Sequence, residues 1–144
     1  EGGTVTWAPT NITYGHNNRS AQFRLPQNRY CIENRAADMT MNVYLALSMT
    51  LSAAVEGIKN KIHPGKPTDQ DLYSMTESEF KKLGIKRLPR NLLMAIEALK
   101  NDKLSDEVLG PVMKKSLLAY KNDEWERYHQ AVTDWEVKEY LRLY

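Results

Sequence analysis

Four arginines and one glutamate fall within 17 residues in a stretch that otherwise has the composition of β-strands. The arginines are Arg19, Arg24, Arg29 and Arg35, and the glutamate is Glu33. Guanidinium groups bind carboxylates and phosphates well because their planar set of donors can engage two oxygens at once. A carboxylate among them suits a hard cation such as Mg²⁺, which usually takes one or two carboxylates together with phosphate oxygens. Residues of these types favour phosphoryl transfer to an acid.

Strand geometry predicts which of these side chains lie together. Successive side chains alternate between the two faces of a strand, so Cys31, Glu33 and Arg35 share one face. In the preceding strand pattern, AQFRL, Gln22 and Arg24 share a face. If the two strands pair, several arginines converge around one glutamate. The same spacing also fits a ladder of ion pairs on a solvated sheet face, since exposed ion pairs are common and individually weak.

The elements that would position these residues change character along the chain. Residues 1–37 contain short strand patterns separated by turn residues, which predicts two or three antiparallel strands. Residues 41–144 have mainly helical periodicity, so we expect an α+β fold. The run from Val43 to Val55 has no charge but is shorter than the ~20 residues that cross a bilayer, so it predicts a buried helix.

Helix punctuation marks further elements. Thr76 and Glu79 have the spacing of a capping box and Gly84 is a stop signal, which predicts a helix between them. A second pattern, NLLMAIEALKND, starts just after Pro89. From Pro111 onward, apolar and aromatic residues recur among charges, which predicts one broken or two consecutive amphipathic helices. With 144 residues in all, we expect residues 1–144 to form a single segment of one domain.

Composition excludes several classes of partner. The net charge is +2 and 26% of residues are charged, without the strongly basic face of a general nucleic-acid binder. The basic cluster at residues 81–90 could bind RNA or an anion, but no aromatic residues interleave it, so a solvated face is expected. Cys31 is the only cysteine in the sequence, which excludes an intrachain disulfide. We therefore expect no nucleic-acid partner, no membrane and a cytoplasmic location.

Four motifs, taken in order, resemble the C-terminal part of the catalytic domain of glutamine synthetases. The family pattern is close to N-R-[ST]-A-x-x-R-[IV]-P, then R-[IVF]-E-x-R, then D-x-x-x-N-P-Y-L, then a small-residue helix ending G-[IL]-x-x-K. The corresponding stretches here are NRSAQFRLP at 18–26, IENR at 32–35, DMTMNVYL at 38–45 and AAVEGIKNK at 53–61. Order and spacing agree throughout this part of the chain, and the remainder agrees more loosely.

This resemblance implies roles for the matching residues. Arg19 and Arg24 would contact phosphate groups of ATP and of a γ-glutamyl phosphate intermediate, with Arg19 acting in catalysis. Glu33 would be a ligand of Mg²⁺ or Mn²⁺, and Arg35 would bind the carboxylate of glutamate. The implied reaction is ATP-dependent γ-phosphorylation of glutamate followed by attack of ammonia or an amine, in which fixed donors stabilise the developing charge.

Departures from the family pattern leave alternatives open. Trp7 stands in the sequence TWAP where ammonia-using members usually have G-Y-E-A-P, and an aromatic residue there would suit a larger nucleophile. Cys31 replaces the arginine that opens R-[IVF]-E-x-R, although Arg29 lies two residues earlier on the same face and could compensate. Val43 replaces the proline of N-P-Y-L. The alternatives are a γ-glutamylalkylamide ligase segment and a non-catalytic paralogue that serves assembly or regulation.

The family's remaining metal carboxylates and its metal histidine lie upstream of these motifs in the family pattern. The sequence also opens on Glu1 rather than methionine, which suggests a fragment of a longer protein. We expect such a fragment to be inactive alone. Its expected partners are glutamate with ammonia or an amine, the rest of its own polypeptide, and neighbouring subunits of a homo-oligomeric ring.

Overall fold

The computed structural model describes residues 8–143, and the chain forms two compact units that meet in sequence between Arg90 and Asn91. The first unit contains short strands and helices, and the second unit is helical. The predicted α+β class is confirmed. The expectation of a single domain segment stays a prediction.

Among the described residues, the first unit contains five short strands in two small sheets. The strands are β1 (Asn11–Ile12), β2 (Tyr14–His16), β3 (Phe23–Leu25), β4 (Glu33–Asn34) and β5 (Lys86–Arg87). Strands β1 and β5 pair antiparallel, and the second sheet has the order β2-β3-β4. Strand β5 was not predicted, because its two basic residues show no alternation.

The prediction of antiparallel strands is correct for β3 and β4 but wrong for β2 and β3, which run parallel. The chain reverses after β2 at Asn17, whose φ of +52° lies in the left-handed region that asparagine tolerates better than most residues. The backbone N–H of Asn17 then donates to Leu25 O at 2.8 Å. An alternating pattern predicts a strand but carries no information on its direction.

The segment of chain that contains Thr68 and Gln70 runs alongside strand β2 and holds it in place. Thr68 N donates to Tyr14 O at 2.8 Å, and Asn18 Nδ2 donates to both Thr68 O at 2.7 Å and Gln70 O at 2.8 Å. A Cβ atom built at Gly15 would lie 2.3 Å from Thr68 O. Real Cβ atoms do not approach a backbone oxygen so closely, so this contact requires glycine at position 15.

The small core of the first unit lies next to this connection. Its buried apolar residues are Ala21, Leu72 and Phe80, with Met75 and Ile85 packed against them. Phe80 comes from helix α2 (Glu77–Leu83), which has the predicted capping box and ends at Gly84 with a φ of +67°. The predicted helix between the capping box and the glycine is therefore confirmed.

Helix α1 (Val43–Lys59) follows the strands, and Asn42 caps it by accepting from the backbone N–H groups of Tyr44 and Leu45. The prediction that this helix is buried is wrong for the described chain: no residue of α1 is buried, and Leu47 and Leu51 are 54% and 56% exposed. The apolar surface predicts burial, but the residues that the structure describes do not provide the covering surface. Within residues 8–143, no helix combines the length and apolar character that crossing a membrane requires.

The second unit contains α3 (Leu92–Asn101), α4 (Lys103–His129) and α5 (Asp134–Tyr140). Helix α4 breaks at Gly110, where φ is +68°, and continues from Pro111. Buried Lys114 donates through Nζ to Asp102 O at 2.9 Å and to Asp106 Oδ1 at 2.6 Å, so its charge is paired. Of the two predicted arrangements from Pro111 onward, one broken helix or two consecutive helices, the structure has the second, and α4 also includes a segment before the break.

Candidate functional site

The register between β3 and β4 places Arg24 directly opposite Glu33. Arg24 Nη1 donates to Oε1 and Oε2 of Glu33, each at 3.1 Å. Arg29 Nη2 also donates to Glu33 Oε1, and Arg35 Nη1 lies 3.7 Å from Oε2. These four residues are called the Glu33 cluster below. The convergence of arginines on one glutamate, predicted from strand pairing, is present in the structure.

The arginines of the Glu33 cluster differ in how they are held. Arg24 Nη2 donates to Asn17 Oδ1, and Arg35 Nε donates to Arg19 O at 3.0 Å, so each has a second anchor. The side chains of Arg24 and Arg35 are 15% and 23% exposed, whereas that of Arg29 is 61% exposed. Arg29 therefore reaches the carboxylate from the solvent side.

Electrostatics keeps the Glu33 cluster ionised. Hydrogen bonds from Arg24 and then Arg29 hold the pKa of Glu33 below its ordinary value, since they favour the charged carboxylate. The same contact raises the pKa of Arg29, because the Glu33 carboxylate stabilises the guanidinium. At neutral pH the cluster is a fixed carboxylate surrounded by positive charge, which is an arrangement that attracts anionic ligands.

Two buried polar atoms of β3 and the residue before it have no hydrogen-bond partner among the described residues: Gln22 Oε1 and Arg24 Nε. Leaving such atoms unpaired costs free energy, and most buried polar atoms in folded proteins are paired. Arg24 Nε is a donor and Gln22 Oε1 is an acceptor, so a phosphate oxygen, which accepts, can pair with the first of these atoms and not with the second.

The described residues fit a metal ion less completely than they fit a phosphate-bearing ligand. Glu33 offers carboxylate oxygens, but residues 8–143 contain no group of three or more histidine, cysteine, aspartate or glutamate side chains that could hold an ion. The described residues can therefore supply one ligand and do not form a metal site on their own.

The phosphate-binding role of Arg19 stays a prediction. Its carbonyl oxygen accepts from Arg35, whereas its exposed side chain does not join the contacts to Glu33 in the described structure. Sequence reasoning missed Asn17, which anchors Arg24. The sequence did indicate a turn at Asn17, since asparagine next to a predicted strand end often takes the left-handed turn conformation. Arg29, one of the four arginines of the sequence pattern, contacts Glu33, and Cys31 is exposed.

Tyr73 lies in a 3₁₀ turn (Leu72–Ser74), and its hydroxyl donates to Ala8 O at 2.6 Å. Partial burial raises the pKa of Tyr73. This contact ties the turn to the start of the described chain. Trp7, the residue that suggested a larger nucleophile, lies outside the described residues.

Comparison with known proteins defines the class first. Residues 4–140 match the family model described as "Glutamine synthetase, catalytic domain". The chain is 40% identical over 140 residues to glutamate–methylamine ligase from Methyloversatilis universalis, covering 97% of this chain and 31% of that protein. It is 37% identical over 139 residues to glutamine synthetase from Methanococcus maripaludis, covering 94% of this chain and 31% of that protein. The chain belongs to the glutamine synthetase catalytic-domain family.

Solved structures agree with this assignment. The structure described as "GmaS/ADP complex-Conformation 1" superposes with a TM-score of 0.84 at 33% identity, over 99% of this chain and 33% of the other. A ligand-free GmaS structure gives a TM-score of 0.78 at 33% identity, over 95% of this chain and 31% of the other. The chain thus spans about a third of the length of the relatives it matches.

Proposed function

We propose that these residues are part of an ATP-dependent ligase that joins glutamate to ammonia or to an amine through γ-glutamyl phosphate. The observation that carries the proposal is the Glu33 cluster, in which three guanidinium groups contact one ionised carboxylate. Phosphoryl transfer to an acid needs donors that are already in place where negative charge develops. A family relative has been solved with ADP, and the cluster has the donors to bind its phosphates.

The individual roles in this proposal come from the family resemblance, and the contacts of each residue support them. Arg24 is anchored by Asn17 and keeps a buried Nε without a partner, which suits it to a phosphate oxygen of the nucleotide. Arg19 has an exposed side chain and, by its match to the family motif, would contact the transferred phosphoryl group. Arg35, whose Nε is fixed by a backbone carbonyl, would bind the carboxylate of glutamate.

Glu33 is the residue that would hold Mg²⁺ or Mn²⁺, together with ligands from outside the described residues. When bound, such an ion neutralises charge on phosphate oxygens. The part played by this chain is to keep the carboxylate ionised and oriented, which the hydrogen bonds from Arg24 and Arg29 do.

A glutamate–alkylamine ligase is the second candidate. It is favoured by the relative named glutamate–methylamine ligase, at 40% identity, and by the two matching GmaS structures. The family also includes a glutamine synthetase at 37% identity, so ammonia remains the other acceptor to test.

Assembly belongs to the same proposal. Helix α1 has no buried residue in the described chain, although its surface is largely apolar. We propose that the rest of the polypeptide covers it and that the protein works as a homo-oligomeric ring in the cytoplasm.

The test is ADP release by the full-length protein with glutamate and Mg²⁺, comparing ammonia with methylamine, ethylamine and a polyamine. Turnover with ammonia identifies a glutamine synthetase, and preference for an alkylamine identifies a γ-glutamylamide ligase. No ADP release with any of these acceptors would overturn the proposal and favour a non-catalytic family member.

A further inference from the structure

Arg29 is the most solvent-exposed arginine of the Glu33 cluster. Its side chain is 61% exposed, against 15% for Arg24 and 23% for Arg35. Its contact with Glu33 uses Nη2 alone. Because a guanidinium carries five N–H donors, most of those of Arg29 remain directed away from the carboxylate.

Arg29 also reaches Glu33 by a different route from its neighbours. Arg24 lies on β3 directly opposite Glu33, so the strand register places it. Arg29 comes from the turn that precedes β4, four residues before Glu33. Its position can therefore adjust to a ligand without disturbing the pairing of β3 and β4.

The contacts to Glu33 leave positive charge in excess. Arg24 and Arg29 both donate to the same oxygen, Oε1, and Arg35 adds a third guanidinium near Oε2. One carboxylate does not compensate the two guanidinium groups of Arg24 and Arg29, so an anion placed beside them is stabilised. The exposed side of Arg29 is where such an anion can approach without displacing a buried contact.

We propose that Arg29 is a phosphate-binding residue, which donates to a phosphate oxygen of the nucleotide while Nη2 stays on Glu33. This inference rests on the proposed function, since it takes a nucleotide as the ligand. Arg29 then has two effects: it holds Glu33 in place and it contributes directly to nucleotide affinity.

The test measures binding of ADP and of adenosine to the full-length protein by calorimetry, for wild type, Arg29→Ala and Arg29→Lys. Adenosine lacks the phosphates that Arg29 would contact. We expect Arg29→Ala to weaken ADP binding by about tenfold or more. Arg29→Lys should weaken it less, because lysine keeps the charge but loses the planar set of donors. Adenosine affinity should be unchanged in both variants.

Arg127→Ala is the matched control. Arg127 is 65% exposed and contacts Asp123, also four residues away, so it reproduces the exposure and spacing of Arg29 without the cluster. We expect its ADP affinity to stay within about twofold of wild type.

Two outcomes would overturn the role of Arg29 alone. One is an Arg29→Ala variant that binds ADP as Arg127→Ala does, and the other is equal weakening of ADP and adenosine, which indicates a structural role. Both require a wild type that binds ADP and turns over. A wild type that neither binds ADP nor releases it from ATP overturns the proposed function together with this inference.

Discussion

Two ion pairs of this chain have the same spacing and different surroundings. Arg29 and Glu33 are four residues apart, as are Asp123 and Arg127 on helix α4. Arg127 is 65% exposed and Asp123 is 66% exposed, so that pair lies in solvent. Glu33 is 21% exposed, because β3 brings Arg24 onto it and Arg35 follows on the same strand face.

The difference shows what turns an ordinary ion pair into a candidate site. A helix places residues four apart on one face, and such a pair adds little because water competes for both charges. At Glu33 the register of two strands adds a second guanidinium, that of Arg24 on the neighbouring strand nine residues earlier in the chain. The result is a carboxylate with several fixed donors and reduced exposure, which binds its ligands without first being ordered.

The largest expected difference between the two pairs is in turnover. Glu33→Gln in the full-length protein keeps the shape of the side chain but removes the charge that would hold the metal. We expect the rate of ADP release to fall on the order of 10²-fold or more, with an unchanged melting profile at low pH. Asp123→Asn is the control and should leave the rate unchanged. Glu33→Gln turning over like Asp123→Asn would remove Glu33 from the site.

Arg24→Lys tests whether Arg24 contributes more than its positive charge. Lysine cannot bridge both oxygens of Glu33 and bond Asn17 at once, as the guanidinium does. We expect turnover to fall by about tenfold or more. Arg127→Lys should leave the rate of ADP release unchanged in the same assay. Equal effects of Arg24→Lys and Arg127→Lys would show that the Glu33 cluster does not differ from the exposed pair of Asp123 and Arg127.

Gly15→Ala tests how strand β2 is held in place beside β3, the strand that carries Arg24. The added Cβ would lie 2.3 Å from Thr68 O, so β2 or the connection along it must shift. We expect a loss of about 1–3 kcal/mol of stability. Thermal or urea unfolding of the full-length protein measures it, with Asp123→Ala as a surface control. A stability equal to that control would show that the contact at Gly15 is not required.

The smallest expected effect is a dependence of stability on pH. Because the folded pKa of Glu33 is lowered, its contribution is present above the unfolded pKa of about 4.3 and is lost as pH falls through the folded value. The melting temperature of wild type should therefore exceed that of Glu33→Gln at pH 7, and the gap should close in acid. A difference in melting temperature that does not change with pH would contradict the lowered pKa of Glu33.

Much of this arrangement could be predicted from sequence. The alternation around Arg24 and Glu33 was enough to predict their convergence, and the capping box at Thr76 fixed the start of α2. Both are local signals whose geometry follows from neighbouring residues. The pairing of β2 and β3 could not be predicted, because strand direction depends on the turn at Asn17 rather than on alternation.

The prediction that helix α1 is buried was wrong for a different reason. Its apolar residues were sufficient to predict a buried surface, yet nothing in the described chain buries any of them. Burial depends on what covers a helix, and this is not a property of the helix sequence. The hydrogen bond from Arg35 to the backbone carbonyl of Arg19 was likewise beyond prediction, because side-chain patterns do not indicate which carbonyl a side chain will reach.

A crystal structure of the full-length protein with ADP and Mg²⁺ tests most directly whether the Glu33 cluster receives the phosphates of a nucleotide. We expect phosphate oxygens within hydrogen-bond distance of Arg24 and Arg29, with Glu33 facing the bound ion. ADP bound elsewhere, with the contacts among Arg24, Arg29 and Glu33 unchanged and the cluster open to water, would contradict this expectation.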